Sequence, residues 1–174
     1  SSQMSDEERE DECEEGEERE DEESTEEAPR EWALFKAADR GDLATLKRLV
    51  QEGVDLDAKD SWEGVTALMY AAIKGKLDCL EYLIAKGAKL DTEDICGQTA
   101  LMCAACKDNL DCLELLIAKG AKLDATSWNG ATALHKAAFN GHAPCVEALL
   151  KKGADARLKD DDGNTALDDA KREG

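Results

Sequence analysis

Several residue types that carry specific chemistry are scarce in this sequence. Of its 174 residues only seven are aromatic, two are proline and two are histidine. Two histidines leave little material for acid–base catalysis or a histidine-based metal cage. No glycine-rich phosphate loop is present, and no loop alternates oxygen ligands about a central glycine as calcium requires. No apolar run approaches the ~18 residues of a membrane span. No cationic-then-apolar leader opens the chain, which predicts an intracellular protein, cytoplasmic or nuclear. Bases are outnumbered, 22 Lys and Arg against 41 Asp and Glu, for a net charge of −19. That balance argues against direct binding to nucleic acid, whose phosphates need cations opposite them. The seven cysteines are odd in number, which, without a leader, argues for reduced thiols.

The negative charge is concentrated. Residues 6–27 hold 16 acids and two arginines, whereas residues 28–174 hold 25 acids and 20 bases. Residues 1–28 have almost no large apolar side chains. Burial therefore cannot offset an ordering cost of roughly 1–2 kcal/mol per residue, and a disordered acidic tail is expected there. Its acid-flanked Ser5 and Ser24 resemble sites of acid-directed kinases. The composition changes at Pro29, which predicts a folded domain over 29–174.

Within that domain the sequence repeats. GVTALMYAA starts at Gly64, GQTALMCAA at Gly97, GATALHKAA at Gly130 and GNTALDDAK at Gly163, so each start lies thirty-three positions after the last. Gly87, Gly120 and Gly153 follow the same step, each preceded by lysine and followed by alanine. An earlier copy, WALFKAADRGDL, starts at Trp32 and lies one position farther from its counterpart than the common step; the extra residue falls within Ser61-Trp62-Glu63. The spacing predicts a helix over about 67–74 and a second over about 77–86. Leu77, Leu80, Leu83 and Ile84 form one apolar face of the second, and Gly87 is a left-handed stop. Helices of about ten residues are marginal alone, so each unit must be covered by its neighbours, as in a solenoid.

With this period, these T-x-L-x-x-A-A cores and these L-L-x-x-G-A endings, the chain resembles an ankyrin-repeat protein over residues 30–174. The resemblance implies an all-α solenoid of helix–turn–helix units joined by hairpin-type loops. The expected units are 31–63, 64–96, 97–129 and 130–162, with a partial capping unit over 163–174. Alanine replaces the family's proline at Ala67, Ala100, Ala133 and Ala166. Only His135 keeps the family's histidine; Met69, Met102 and Asp168 stand in its place. Most threonine–histidine hydrogen bonds should then be missing, with some loss of stability. Asp168, Asp169, Lys171 and Arg172 are expected to give the last unit a polar outer face.

The resemblance also implies where a partner binds: at the loop tips and on the exposed side of each first helix. Those columns contain Trp62, Ile95 and Trp128 at the tips. On the first helices they contain Tyr70, Ile73, Lys74, Cys103, Cys106, Lys107, Lys136, Phe139 and Asn140. Four of the seven aromatics, Trp62, Tyr70, Trp128 and Phe139, fall at positions expected to be exposed, and grouped exposed aromatics mark recognition surfaces. The function this predicts is a protein-interaction module, a scaffold or adaptor, holding an apolar helix or extended peptide. The alternative is an escort for a basic client such as a histone or ribosomal protein, gripped through the acidic tail. The flanking lysines would also let the tail fold back onto the same face. No catalytic residue, cofactor or metal site is expected. The C-x-x-C of Cys103 and Cys106 lies one turn apart on a helix, and Cys79, Cys112 and Cys145 recur at one apolar helix position.

Overall fold

The computed structural model describes residues 29–173, and the acidic tail expected over 1–28 lies outside them. Nine helices run through the described residues: α1 (Arg30–Arg40), α2 (Leu43–Gln51), α3 (Ala67–Lys74), α4 (Leu77–Ala85), α5 (Ala100–Cys106), α6 (Leu110–Ala118), α7 (Ala133–Phe139), α8 (Ala143–Lys151) and α9 (Ala166–Glu173). None is long and apolar enough to cross a membrane.

The helices pair as antiparallel hairpins, α1 with α2 through α7 with α8, and α9 closes the stack as a single first helix. First helices α1, α3, α5, α7 and α9 pack on one another in order and form an inner layer; α2, α4, α6 and α8 form an outer one. Alanine makes the inner layer close. Ala71, Ala72, Ala104, Ala105 and Ala137 are sealed at the inter-helix contacts, where a larger side chain would force the backbones apart. Leu46, Leu80, Leu83, Leu113, Leu116 and Leu149 of the outer helices fill the space between layers. Cys79, Cys112 and Cys145 are buried among them as small apolar residues.

Each inner helix after α1 starts at a threonine. The hydroxyls of Thr66, Thr99 and Thr132 accept the N–H of Met69, Met102 and His135 at 3.3, 3.5 and 3.4 Å. The threonine caps are therefore kept, and at Met69 and Met102 only the reciprocal threonine–histidine bond is missing, as expected. His135 keeps it, its Nδ1 accepting the Thr132 N–H at 3.2 Å. Asp168 restores it by another route, since its Oδ2 accepts both the N–H and the hydroxyl of Thr165, at 2.9 and 3.0 Å.

Repeats are stitched by side chains of fixed register. Asp57, Asp91 and Asp124 each accept, through Oδ1, a backbone N–H from the following unit: Lys89 at 2.8 Å, Lys122 at 2.9 Å and Asp155 at 2.9 Å. Asn109 Nδ2 donates to the carbonyls of Ala72 and Ile73, and His142, one repeat later, reaches the Cys106 carbonyl with Nε2 at 2.9 Å. These bonds satisfy C-terminal carbonyls that α3 and α5 leave open.

No described residue lies in a β-strand, yet the loops between units are turned like hairpin tips. A backbone bond spans the base of each tip, from the N–H of Asp60 to Val65, Asp94 to Gln98, Ser127 to Ala131 and Asp160 to Asn164. In the last three a second runs from the N–H of Gly97, Gly130 and Gly163 back to the carbonyls of Asp94, Ser127 and Asp160. The first tip is longer by one residue, which accounts for the offset of the first copy. The last unit keeps the expected polar outer face at Asp168, Lys171 and Arg172, which are exposed, and departs from it at two positions. Asp169 is buried, and Leu167 is exposed because no further described helix follows α9 to cover it.

Candidate functional site

Consecutive loop tips are hydrogen-bonded to one another. The Ile95 N–H donates to the Glu63 carbonyl at 2.9 Å, the Trp128 N–H to the Cys96 carbonyl at 2.9 Å and the Asp161 N–H to the Asn129 carbonyl at 3.0 Å. This ladder sets one outward side chain per tip in a row: Trp62, Ile95 and Trp128, which are 58%, 71% and 61% exposed. Large apolar side chains at that exposure, repeated in register, are the least expected feature of the surface.

Each tip is held by a small polar residue at its base. Asp60 Oδ1 accepts the N–H groups of Trp62, Glu63, Gly64 and Val65, between 2.9 and 3.3 Å. Asp94 Oδ1 likewise accepts the N–H groups of Cys96 and Gln98, and Asp160 Oδ1 those of Asp162 and Asn164. In the third tip the Ser127 hydroxyl lies 2.5 Å from Asn129 Oδ1.

The inner-helix residues expected at the site divide. Ile73, Phe139 and Lys107 are half-buried, and Lys74 and Asn140 are exposed. Lys74 Nζ is 3.9 Å from Asp39 Oδ1, an ion pair across the first two units. Asn140 Nδ2 donates to the Lys136 carbonyl at 2.8 Å. Cys103, Cys106 and Lys136, by contrast, are buried, so their side chains add little to any outer surface. Expecting them on the face took the column position for exposure. The narrow spacing of alanine-rich helices covers the two short cysteine side chains, whereas Lys136 is buried despite its length.

Tyr70 is also only half-exposed, and its hydroxyl is committed. It donates to Asp60 Oδ2 at 2.6 Å, while the ring lies 5.8 Å from that of Phe35. Burial first, and the Asp60 bond second, push its ionisation well above the ordinary tyrosine range. Tyr70 thus braces the first tip. The tip's outer ring has a partner that the sequence columns did not include: Trp32, edge-on to Trp62 at 5.3 Å, with Lys36 Nζ 5.0 Å above the Trp32 ring. A signal existed, since Trp32 occupies the place that threonine holds in the other units.

Two groups resemble reactive sites. His135, Asp160 and Asp169 bring possible metal ligands within 4.8 Å of one another. Both ring nitrogens of His135 are already engaged, Nδ1 by Thr132 and Nε2 by the Asn164 carbonyl at 2.9 Å. Cys145 Sγ lies 3.5 Å from Asp108 Oδ1, and His142 Nδ1 lies 3.9 Å from Asp108 Oδ2. A nucleophilic thiol needs exposure and a lowered pKa. Cys145 is fully buried, and burial followed by the Asp108 bond raises its thiol to about 12. Burial likewise raises Cys103 to about 12, with Asp94 adding to it, and raises Cys112 to about 11.

Comparison with known families gives two overlapping matches. A family described as ankyrin repeats in three copies matches residues 34–127, and one described as ankyrin repeats in many copies matches residues 116–170. No curated protein matches the chain.

Proposed function

The chain belongs to the ankyrin-repeat family, whose repeats are protein–protein interaction modules, and from that premise we propose that it is a scaffold or adaptor gripping its partner along the Trp62–Ile95–Trp128 row. The observation that carries this reading is the row itself: three large apolar side chains, more than half exposed, fixed in line by the backbone bonds between tips. The fold does not need them outward, since its core is complete without them.

A tryptophan can bury ~150–250 Å² against a partner. At ~25 cal/mol per Å², each ring supplies several kcal/mol before ordering costs are subtracted. Rings already fixed by their own units lose less entropy on binding than mobile ones. Trp62 is the better anchored, through Trp32 below and the Asp60 loop beneath. Ile73 and Phe139, half-buried on the inner helices, extend the apolar surface inward from the tips. A partner helix or extended peptide with apolar residues spaced to meet successive tips would fit, and Lys74 and Lys107 would receive its acidic groups.

The test is direct titration of a partner recovered by affinity capture with the full chain. Trp128→Ala and the Trp62→Ala/Trp128→Ala double variant should weaken binding at least ~10-fold and ~100-fold. Unfolding midpoints of both variants should stay near that of the parent. Affinity unchanged within ~0.5 kcal/mol in the double variant excludes the row as the contact.

A further inference from the structure

The molecule's positive charge is sorted by layer. Inner helices α1, α3, α5 and α7, taken with their C-terminal caps, hold six bases (Arg30, Lys36, Arg40, Lys74, Lys107 and the buried Lys136) and two acids, Glu31 and Asp39. Residues 28–174 as a whole hold 20 bases and 25 acids. The outer helices with their caps balance to zero, so the surplus of cations belongs to the inner layer. Arg40, Lys74 and Lys107 recur once per unit, at the C-terminal ends of α1, α3 and α5. The series ends at α9, where Asp168, Asp169 and Glu173 outnumber Lys171 and Arg172.

A polyanion is tethered to the start of this face. Pro29 caps α1, the first inner helix, and the 16 acids of residues 6–27 end two positions before it. As a flexible chain, 28 residues would span about 30 Å root-mean-square, and fully extended they would reach at most about 100 Å. Either exceeds the step of one or two helices, ~10 Å each, that separates α1 from α3 and α5. A tether of this length holds a segment near its target at millimolar effective concentration, so even a millimolar contact is occupied about half the time.

We propose that residues 6–27 dock on the cationic inner layer of their own chain, across α1, α3 and α5, and act as a tethered competitor of acidic ligands. The segment supplies carboxylates and almost no apolar surface. It therefore occupies the charged floor and leaves the Trp62–Ile95–Trp128 crest open. A ligand that is both apolar and acidic has to displace it, and a basic one draws it off. The inference uses the inner helices alone and stands whether or not the crest binds a partner.

Zero-length carbodiimide crosslinking of the full chain at low ionic strength tests it, with linked peptides mapped by mass spectrometry. Mixed isotopically labelled and unlabelled chains separate links within a molecule from links between molecules. Carboxylates of 6–27 should join Lys74 and Lys107 at least ~10-fold more often than the exposed outer lysines Lys86, Lys119 and Lys152. Salt at ~0.5 M should abolish the preference, because it shortens the screening length well below its ~10 Å at 0.1 M. In parallel, a full-length variant with the 16 acids changed to Gln or Asn should bind poly-glutamate at least ~10-fold more tightly than the parent. Links spread evenly over inner and outer lysines would mean that Lys74 and Lys107 serve only the helix ends they terminate, and the proposal falls. Links solely between molecules, or equal poly-glutamate affinity in the two chains, overturn it as well.

Discussion

The Tyr70 hydroxyl donates a 2.6 Å hydrogen bond to Asp60, whose other carboxylate oxygen gathers four backbone N–H groups of the first tip. A side chain on an inner helix thus fixes the loop that carries Trp62. Tyr70→Phe removes the bond but keeps the ring against Phe35. A hydrogen bond to a charged acceptor is worth about 1.5–3 kcal/mol, and partial exposure places this one toward the lower end. Urea unfolding of Tyr70→Phe should show a loss of about 1–2 kcal/mol, with faster amide exchange in residues 61–65. Exchange unchanged at the tip would separate the tyrosine from the loop.

The architecture was legible because short helices of one period have few alternatives. The glycine and threonine spacings predicted α3 at its observed bounds and α4 to within a residue. The tip row was legible too, since Trp62, Ile95 and Trp128 share a column. What a column could not give is depth. Tyr70, Cys103 and Lys136 stand in one column, yet Tyr70 is half-exposed and the other two are buried. Depth depends on which neighbours lean over each site, and those belong to the adjoining repeats. Trp32 was missed for a related reason. It lies in the threonine column, and its meaning comes only from the ring of Trp62 packed against it.

Leu134 and Leu167 occupy the same place in successive repeats, but Leu134 is 3% exposed and Leu167 is 62% exposed. The difference is the presence of α9 over α7 and the lack of a described helix over α9. Leu134→Ala should cost about 2–5 kcal/mol, the range for a sealed leucine that leaves a cavity. Leu167→Ala should cost under about 1 kcal/mol, as surface substitutions do. Chemical denaturation of the two single variants measures both, and equal losses would contradict the exposure of α9.

Alkali should destabilise the protein through groups that the fold keeps neutral. Cys112 is raised to about 11 and Cys103 and Cys145 to about 12, each by burial first, and Tyr70 is raised as well. In the unfolded chain the thiols ionise near ~8.5, so their contribution is complete below that pH and is lost as pH rises toward about 11–12. Each fully buried thiol contributes up to about 1.4 kcal/mol per pH unit within the window. The urea midpoint should hold between pH 7 and 8 and fall clearly by about pH 10.5. Cys112→Ala/Cys145→Ala should lessen the fall. Below the transition, Cys96, the half-buried thiol at the second tip, should be alkylated ahead of Cys79, Cys103, Cys112 and Cys145.

Gly97 and Gly87 both have left-handed backbone, at φ of +73° and +96°, but their surroundings differ. A Cβ at Gly97 would meet the Trp128 backbone nitrogen at 2.9 Å, the atom whose hydrogen bond to Cys96 joins the second and third tips. A Cβ at Gly87 would meet nothing within 4 Å. Left-handed backbone costs an L-residue about 1–2 kcal/mol, and both alanine variants carry that cost. Only Gly97→Ala must also shift a backbone atom, which cannot swing aside as a flexible side chain can. Gly87→Ala should therefore lose about 1–2 kcal/mol, and the forced backbone shift should cost Gly97→Ala roughly 1 kcal/mol or more beyond that. Because the added strain falls on the tip ladder, Gly97→Ala should also weaken partner binding while Gly87→Ala leaves it near parental. Equal effects of the two substitutions on both stability and binding would show that the tips are not spaced by the Trp128–Cys96 bond.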